Sequence, residues 1–356
     1  MSLIDFGWNE HFDEQFEPHA GAGLVPGRIA VEHRGAYAVY TADGDVWAEL
    51  AGRLRHEAIG RSDLPAVGDW VALQPLPERK AVVQAVLPRR SAFSRKIAFT
   101  ETEEQVIAAN VDTVFVVGSL NEELNLRRIE RYLTTGWESG ARPVIVLNKA
   151  DLCSPEELGT LVAGVEAIAF GADVHPVSAV TGEGMERLAT YLVPGETVAL
   201  LGSSGVGKST IVNRLLGQEL FATQEIRADG RGRHTTSHRE LIALPGGGLV
   251  IDTPGMRELQ LWDGSEGLDE AFEDVAALAA ECRFNDCQHG SEPGCAVRAA
   301  LAAGSLPQER LESYGKLQRE SERMERKRDA RLQSEYKKKW RAHARRQRKN
   351  PKPRYR

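Results

Sequence analysis

Cysteine and long apolar runs are scarce in this sequence. Its 356 residues include 4 Cys, which is too few for a disulfide framework, so we expect reduced thiols. No hydrophobic run approaches the ~20 residues that span a bilayer, and the acidic first residues lack the basic and apolar regions of a secretory signal. These absences predict a soluble, cytoplasmic protein with no membrane partner. The length indicates two or three domains, each able to bury its own core.

The chain as a whole also lacks an excess of positive charge, but the charge is unevenly distributed. The formal net charge is −6, yet residues 316–356 hold 18 Lys and Arg against 5 Asp and Glu. The remaining chain is therefore strongly acidic. A mixed-charge stretch rich in helix formers is typical of a solvated helix. The last 20 residues have 11 basic and no acidic side chains, and they predict contact with an RNA or DNA backbone.

Three of the four cysteines lie close together with one histidine. The spacing is Cys-x4-Cys-x-His-x5-Cys, formed by Cys282, Cys287, His289 and Cys295. In a reducing compartment this pattern predicts a tetrahedral zinc site, and four protein ligands leave no open position for a catalytic water. We therefore expect one structural Zn2+, the alternative being a chance cluster of free thiols. Cys153 lies far away in the sequence and is expected to be a half-buried thiol.

Residues 24–90 contain five short β segments separated by Gly and Asp-Gly turns. This spacing predicts a small closed barrel of the OB type, and an SH3-like barrel would give the same pattern. An N-terminal extension, residues 1–23, precedes the barrel, and residues 91–104 have the composition of a linker. Scattered surface arginines usually have no role in binding. The candidates for phosphate contact in the barrel are Arg34, Arg53, Arg55 and Arg61.

Residues 105–265 alternate apolar strands with helices. Strands are predicted at 111–118, 143–147, 174–178, 197–201, 240–244 and 249–251. The first four alternate with amphipathic helices, which indicates a parallel sheet covered on both faces. A Pro-Gly-Gly-Gly turn joins the last two and predicts a hairpin. Residues 266–315 are expected to form an α-helical zinc-binding domain, and residues 316–356 a basic helical tail.

A candidate phosphate-binding loop follows the strand predicted at 197–201. Its sequence, GSSGVGKST, matches G-x4-G-K-[ST] and precedes a helix-forming segment, the context in which backbone N–H groups cradle phosphates. Lys208 is expected to reach the β- and γ-phosphates and to act in catalysis, and the Ser209 hydroxyl to ligate Mg2+. The candidate nucleotide-binding residues of this loop are Gly202, Ser203, Ser204, Gly205, Val206, Gly207, Lys208, Ser209 and Thr210.

Two further motifs predict that the base is guanine. Asn148, Lys149 and Asp151 belong to the sequence NKAD after the strand at 143–147. The Asp151 carboxylate can accept from guanine N1–H and the 2-amino group, donors that adenine lacks, so a P-loop ATPase is disfavoured. Asn148 and Lys149 are expected to tie this loop to the P-loop. After the next strand come Ser178 and Ala179, and the Ala179 N–H is predicted to face guanine O6.

The remaining motifs concern Mg2+ and the γ-phosphate. The sequence DTPG begins at Asp252, whose carboxylate is expected to hold Mg2+ through water, while the Gly255 N–H meets the γ-phosphate as a candidate catalytic group. Between the P-loop and this motif lies the basic stretch GRGRHTT. It is interpreted as a switch loop in which Thr235 or Thr236 completes the Mg2+ coordination, the alternative being a disordered surface loop.

The motifs stand in an unusual order along the chain. NKAD and SA precede the P-loop, the switch stretch and DTPG, whereas ordinary GTPases begin with the P-loop. A circular permutation is compatible with the same sheet, because strand pairing does not depend on where the chain is cut if the termini lie close together. The sequence thus predicts an α/β fold: a circularly permuted P-loop GTPase domain between an N-terminal OB-like β-barrel and a C-terminal α-helical zinc-binding domain.

From about residue 25 to 318 the chain resembles the RsgA (YjeQ) family of GTPases. The resemblance rests on GSSGVGKST, RGRHTT, DTPGM and the Cys-x4-Cys-x-His-x5-Cys module in family order. It implies a GTPase that acts late in maturation of the small ribosomal subunit and is stimulated by that subunit. The implied partners are the subunit with its rRNA and GTP or GDP with Mg2+, and we expect a monomer.

Met256 follows DTPG at the position where Ras-like enzymes carry a glutamine that orients the attacking water. A thioether cannot orient water, so slow intrinsic hydrolysis is expected. His234 on the switch stretch is the candidate replacement, against the alternative of a solvent-exposed histidine. Met256 also leaves open a second class of function: an RNA-binding assembly module whose nucleotide site is a ligand-gated switch with little turnover.

Overall fold

A computed structural model describes residues 1–33, 35–96, 104–121, 124–217, 239–252 and 266–326. The strands are β1 Val25–His33, β2 Ala36–Tyr40, β3 Val46–Leu50, β4 Trp70–Leu76, β5 Lys80–Val86, β6 Ala92–Lys96, β7 Glu104–Ala109, β8 Thr113–Ser119, β9 Arg142–Asn148, β10 Asp173–Pro176, β11 Thr197–Leu201, β12 Glu240–Ala243 and β13 Leu249–Asp252. The helices are α1 Glu10–Ala20, α2 Gly52–Glu57, α3 Leu126–Glu138, α4 Pro155–Glu166, α5 Met185–Ala189, α6 Lys208–Leu216, α7 Glu266–Ala271, α8 Glu273–Ala280, α9 Ala296–Ala303 and α10, residues 308–326.

The first five strands close into a barrel. Their order is β1-β2-β3-β5-β4, and β4 pairs again with β1. The β3–β5 pair is parallel and the other pairs are antiparallel. Inward-facing side chains such as Ile29, Val39, Leu73 and Val83 are fully buried in the lumen, as alternation along short strands requires. The closed barrel of five strands confirms the OB-like prediction.

The second sheet has the order β10-β9-β8-β11-β13-β12. Every pair is parallel except β12–β13, which confirms the predicted hairpin. Because β9, β10, β11 and β13 run in the same direction, their carboxyl ends meet at one edge, where α/β sheets bind ligands. A single antiparallel bridge between Val31 and Glu240 connects β12 to β1 and so joins this sheet to the barrel.

Helices cover both faces of the parallel sheet, as the alternating pattern predicted. On β8, Val116 packs toward α3, α4 and the C-terminal helices, whereas Phe115 and Val117 pack toward α5 and α6. The period of two along a strand sends neighbouring residues to opposite faces. Strands buried on both faces therefore read as continuous apolar runs in the sequence. Among the helices in the described ranges, none is long and apolar enough to cross a membrane.

The N-terminal extension is an ordered part of the fold. Trp8 before α1 and Phe12 within it contact Trp70 of the barrel. Phe16 of α1 contacts Trp8, and Phe6 stacks on Tyr40 of β2. The same apolar cluster includes residues of β6, β7 and the parallel sheet. This segment therefore fills the junction between barrel and sheet. Sequence reasoning assigned it no role, because aromatic residues in a short acidic stretch match no motif.

Two boundaries predicted from the sequence differ from the element boundaries. The stretch 91–104 was expected to be a linker, but its first residues form β6, which pairs antiparallel with β7. At the C-terminal end, α10 runs across the predicted border between residues 315 and 316. Leu317 beyond that border is buried in the core shared with α3. Apolar burial therefore extends the folded body into the segment that was expected to be tail.

A fully buried arginine joins three parts of the chain. The Arg28 guanidinium donates to the Gly68 carbonyl (3.2 Å), the Asn110 carbonyl (2.9 Å) and the Phe6 carbonyl. Its central carbon also lies 5.6 Å from the centre of the Trp70 ring. Burial lowers the pKa of this guanidinium to about 10, so it stays charged at neutral pH. Arg28 thereby connects the N-terminal segment, the barrel and the residues that lead into β8.

We expect Arg28→Met to lower the free energy of unfolding by roughly 3–5 kcal/mol, since buried carbonyl groups lose a charged donor. The measurement is urea denaturation followed by circular dichroism. The control is Arg53→Met, whose side chain is 75% exposed and pairs only loosely with Glu57, and its effect should stay within about 0.5 kcal/mol. A loss below 1 kcal/mol for Arg28→Met would contradict the role assigned to this residue.

Candidate nucleotide site

The P-loop occupies the turn between β11 and α6, at the edge where the parallel strands end. Close backbone approach requires glycine at two positions. A Cβ on Gly202 would lie 2.4 Å from the Val117 carbonyl oxygen, and one on Gly207 would lie 2.2 Å from Asn148 Nδ2. Gly207 also has φ 97°, in the left-handed region. These glycines let the backbone turn tightly around an anion at the N-terminus of α6.

Lys208, the first residue of α6, points back over the loop. Its ammonium donates to the Gly202 carbonyl (2.8 Å) and to the Ser203 carbonyl (2.7 Å). These contacts hold the positive charge above the concave side of the loop, where a phosphate would sit. Ser209 follows on the first turn of α6 with an exposed side chain. An exposed hydroxyl at this position can offer an oxygen ligand to a hard cation such as Mg2+.

Asn148 joins three motifs that are far apart in the sequence. Its Nδ2 donates to the Val206 carbonyl of the P-loop at 2.8 Å, and its Oδ1 accepts from the Ala179 N–H at 3.0 Å. The side chain is buried. One carboxamide, with a donor and an acceptor at opposite ends, therefore connects NKAD, SA and the P-loop. The predicted tie between NKAD and the P-loop is present and runs through Asn148.

The geometry differs from expectation at Ser178 and Ala179. The Ala179 N–H, which was predicted to face guanine O6, donates to Asn148 Oδ1 instead. The Ser178 hydroxyl accepts from the Thr181 N–H at 3.1 Å and closes a turn. Both residues thus shape the loop in this structure. A base that uses the Ala179 N–H would have to share it with Asn148 or displace Asn148.

Asp151 lies on a short 3-10 turn, Ala150–Leu152, directly after β9. Lys149 enters this turn in the left-handed conformation, with φ 67° and ψ 36°, and the Ala150 N–H donates to the Val177 carbonyl. The turn is therefore tied to the segment that carries Ser178. Asp151 itself is exposed, so its carboxylate is open to the N1–H and 2-amino donors of an incoming guanine.

Several predicted site residues fall outside the described parts of the structure. They are Arg34, His234, Thr235, Thr236, Gly255 and Met256. Of the Mg2+ candidates, Ser209 is described, and Asp252 is the last residue of β13, which lies beside β11. The backbone of Asp252 therefore ends at the same sheet edge as the P-loop. The basic tail beyond residue 326 also lies outside the described residues.

The Cys3His cluster fits a tetrahedral metal ion. The sulfur atoms of Cys282 and Cys295 are 3.8 Å apart, and His289 Nδ1 lies 3.7 Å from the first and 3.5 Å from the second. A zinc tetrahedron with ordinary bond lengths has S–S edges of about 3.8 Å and S–N edges of about 3.6 Å. Cys287 completes the group, whose ligand atoms all lie within 4.8 Å of one another. The residues present therefore fit the ion.

The Cys3His cluster belongs to a helical module that is anchored on α3. Arg310 of α10 donates to Glu130 of α3 at 2.8 Å and to Asp274 at 2.9 Å, and its guanidinium lies 4.0 Å from the Phe272 ring centre. Ser313 donates to the second Glu130 oxygen at 2.6 Å. Arg310 and Glu130 are both almost fully buried. A buried, well-bonded ion pair fixes α10 and α3 in one relative position.

Sequence reasoning missed one residue beside the P-loop. Arg128 of α3 donates through Nη1 to the Ser203 hydroxyl at 2.9 Å. The only signal available was an asparagine cap and a basic pair at the start of a helix that follows β8. No motif identifies such a residue, because its contact depends on how α3 packs against the neighbouring strand.

The comparisons with known proteins agree with this architecture. The family model described as RsgA GTPase matches residues 86–262. A protein of Opitutus terrae named small ribosomal subunit biogenesis GTPase RsgA is 53% identical over 331 residues, which cover 90% of each chain. A Streptomyces coelicolor protein of the same name is 49% identical over 341 residues, covering 95% of this chain and 92% of that one.

Solved structures give the same result for the fold. YjeQ from Thermotoga maritima superposes with a TM-score of 0.61 at 28% identity, covering 83% of this chain and 97% of that chain. YloQ, described as a circularly permuted GTPase, superposes with a TM-score of 0.59 at 24% identity, covering 82% and 93%. The permuted order of motifs, the barrel and the Cys3His cluster all match the prediction, and the chain belongs to the RsgA family of circularly permuted GTPases.

Proposed function

We propose that this GTPase acts late in maturation of the small ribosomal subunit, binds the subunit and its rRNA in the GTP state, and is stimulated by the subunit to hydrolyse GTP. The observation that carries the proposal is the junction at Asn148, which brings a guanine motif and a P-loop to one sheet edge. The names of the relatives from Opitutus terrae and Streptomyces coelicolor supply the ribosomal context.

The nucleotide would be held mainly by backbone and a few side chains. N–H groups of the P-loop, residues 202–210, surround the phosphates, and Lys208 neutralises charge at the β- and γ-phosphates. Asp151 selects guanine by accepting two hydrogen bonds from its edge. Mg2+ would be held by Ser209 and Asp252, with Thr235 or Thr236. The bound ion would neutralise the charge that develops on the phosphate oxygens.

Hydrolysis by the isolated protein is expected to be slow. Met256 has no group that orients water, and His234 is the proposed replacement, brought into position when the subunit orders the switch loop. The Gly255 N–H would meet the γ-phosphate. Hydrolysis would then release the protein from the subunit. In this proposal, nucleotide state and subunit contact control each other through the switch loop.

We further propose that the Cys3His cluster holds Zn2+ in a structural role. The match between its interatomic distances and a zinc tetrahedron supports this identity. With four protein ligands, the ion has no open position for a substrate. Its function would be to fix the loops before α9, so that the module keeps its shape on α3.

Contact with rRNA would be local, because the body of the protein is acidic. The basic tail, residues 316–356, supplies the largest positive charge. Arg53, Arg55 and Arg61, in the segment between β3 and β4, are exposed and would offer further phosphate contacts. Such contacts weaken steeply as salt rises, because binding releases condensed counterions. We propose that the protein acts in the cytoplasm as a monomer.

Cosedimentation with small ribosomal subunits tests this function. We expect more protein in the subunit pellet with a non-hydrolysable GTP analogue than with GDP, and phosphate release that rises at least tenfold when subunits are added. Equal binding in both nucleotide states would contradict a GTP-gated cycle. A GTP-dependent pellet without stimulated release would instead support an RNA-binding module with little turnover. Lys208→Ala should abolish release in every condition.

A further inference from the structure

One side chain outside the sequence motifs reaches the P-loop. Arg128 lies near the start of α3, with its backbone N–H donating to Asn125 Oδ1, the cap of that helix, at 3.1 Å. Its guanidinium donates to the Ser203 hydroxyl at 2.9 Å. Ser203 is the second residue of the P-loop, and its carbonyl accepts from Lys208 at 2.7 Å. This serine is therefore held from both sides by positively charged groups.

We propose that Arg128 is a positioning residue for nucleotide binding, acting through the Ser203 hydroxyl on the first half of the P-loop. Hydrogen bonds from a charged donor are stronger than neutral ones, and a loop that must present several N–H groups to phosphate gains from a fixed anchor. The inference rests on the proposed placement of GTP in this loop. It concerns the geometry of the P-loop itself and assigns Arg128 no direct contact with phosphate.

The helix that carries Arg128 is itself held in place. Its next turn bears Glu130, which accepts from Arg310 and Ser313 in a buried network. Arg131 pairs with Glu320 of α10, with Nη1 and Oε2 3.0 Å apart. α3 therefore cannot shift freely relative to the C-terminal module, and the contacts of Glu130 and Arg131 fix the backbone position from which the Arg128 side chain extends. An arginine on a mobile helix would lack this advantage.

A chance surface contact is the alternative, because Arg128 is exposed and exposed polar pairs often contribute little. The neighbouring residue provides a matched control. Arg127 is on the same turn of α3 and is also exposed, but it points to Glu312, 3.8 Å away, and not to the P-loop. Substituting Arg127 removes the same charge from the same helix and leaves the Ser203 contact intact.

Steady-state kinetics of the full chain test the proposal. The P-loop would hold the phosphates equally in the ground state and in the transition state, so a weaker loop should affect binding and not the chemical step. Arg128→Ala should therefore raise the KM for GTP about tenfold and change kcat less than twofold. The dissociation constant of fluorescent GDP should rise by the same factor, equivalent to ~1.4 kcal/mol. Arg128→Lys should recover part of the affinity, and Arg127→Ala should change neither constant. A merely destabilised protein would instead lose active fraction, lowering the apparent kcat at constant KM.

The role of Ser203 is tested by a double-mutant cycle. If Arg128 acts through the Ser203 hydroxyl, Ser203→Ala should weaken GDP binding to a similar extent, and adding Arg128→Ala should cause no further loss. Additive effects, or an unchanged KM for Arg128→Ala, would overturn the inference. Lys208→Ala distinguishes this outcome from failure of the site itself. If it retains normal nucleotide binding, the P-loop assignment is wrong, whereas strong loss with a silent Arg128→Ala rejects only the proposal made here.

Discussion

Asp151→Asn will lower the affinity for GTP by roughly 100- to 1000-fold and will create affinity for xanthosine triphosphate. The carboxylate of Asp151 is exposed on the turn that follows β9 and would accept from both guanine donors. An asparagine accepts from N1–H but presents an NH2 group to the 2-amino group, so one hydrogen bond becomes a repulsive donor–donor contact. Xanthine carries an oxygen at that position, which restores the pairing.

Competition between fluorescent GDP and unlabelled nucleotides measures this change of specificity. The variant should bind xanthosine triphosphate more tightly than GTP, and both the variant and the wild-type protein should bind ATP weakly. Glu156→Gln is the matched control, since Glu156 is an exposed carboxylate in the first turn of α4 and should leave the order unchanged. Loss of all nucleotide binding in Asp151→Asn with an unchanged circular dichroism spectrum would argue against the assignment of the base.

Removing the metal ion proposed for the Cys3His cluster will unfold the surrounding module. Zinc in sites of this ligand type contributes roughly 10 kcal/mol or more of apparent binding free energy, and that free energy is available only in the folded state. Cys295 is buried and forms the N-cap of α9, where its sulfur accepts from the Arg298 N–H at 3.5 Å. Loss of the ion therefore exposes charged or reduced thiols at the start of a core helix.

Metal analysis and hydrogen exchange test this expectation together. The purified protein should contain one zinc per chain, and Cys282→Ser or treatment with a strong chelator should remove protection from α9. Cys153→Ser is the matched control, because Cys153 lies far from the cluster in sequence and its thiol donates to the Leu120 carbonyl at 3.3 Å. A protein that purifies without zinc, or equal protection in both serine variants, would contradict a structural metal.

The local motifs were predictable because each depends on consecutive residues. In GSSGVGKST, the glycines permit the tight turn, and the lysine is the first residue of the helix that follows it. The spacing of these residues is therefore enough to predict a phosphate-binding loop. The same holds for NKAD and for the strands of the parallel sheet, whose continuous apolar runs follow from burial on both faces. The permuted order of the motifs was also readable, since it is a property of the chain alone.

Other features depend on contacts between residues that are distant in the sequence. The sequence predicts that NKAD is tied to the P-loop, but it does not indicate that one Asn148 carboxamide would accept from Ala179 while it donates to Val206. The burial of Arg28 was equally unpredictable, because an arginine on a short strand is usually exposed. The aromatic N-terminal segment and the continuation of α10 past residue 315 share this cause. Their apolar side chains are buried against the barrel–sheet junction and against α3, and these surfaces form only when the chain folds.

The sequence by itself therefore determined the family, the guanine-nucleotide motifs with their permuted order, and the four residues of the Cys3His cluster. These are patterns of residue type and spacing, and they survive without knowledge of packing. Only the tertiary structure decided that the Asn148 carboxamide also accepts from Ala179, that Arg28 connects the barrel to the sheet, and that Arg128 reaches Ser203. Each of these contacts depends on how elements that are distant in the sequence pack against one another. Residue type and spacing within one segment do not specify that packing, so the contacts could not be predicted from the sequence.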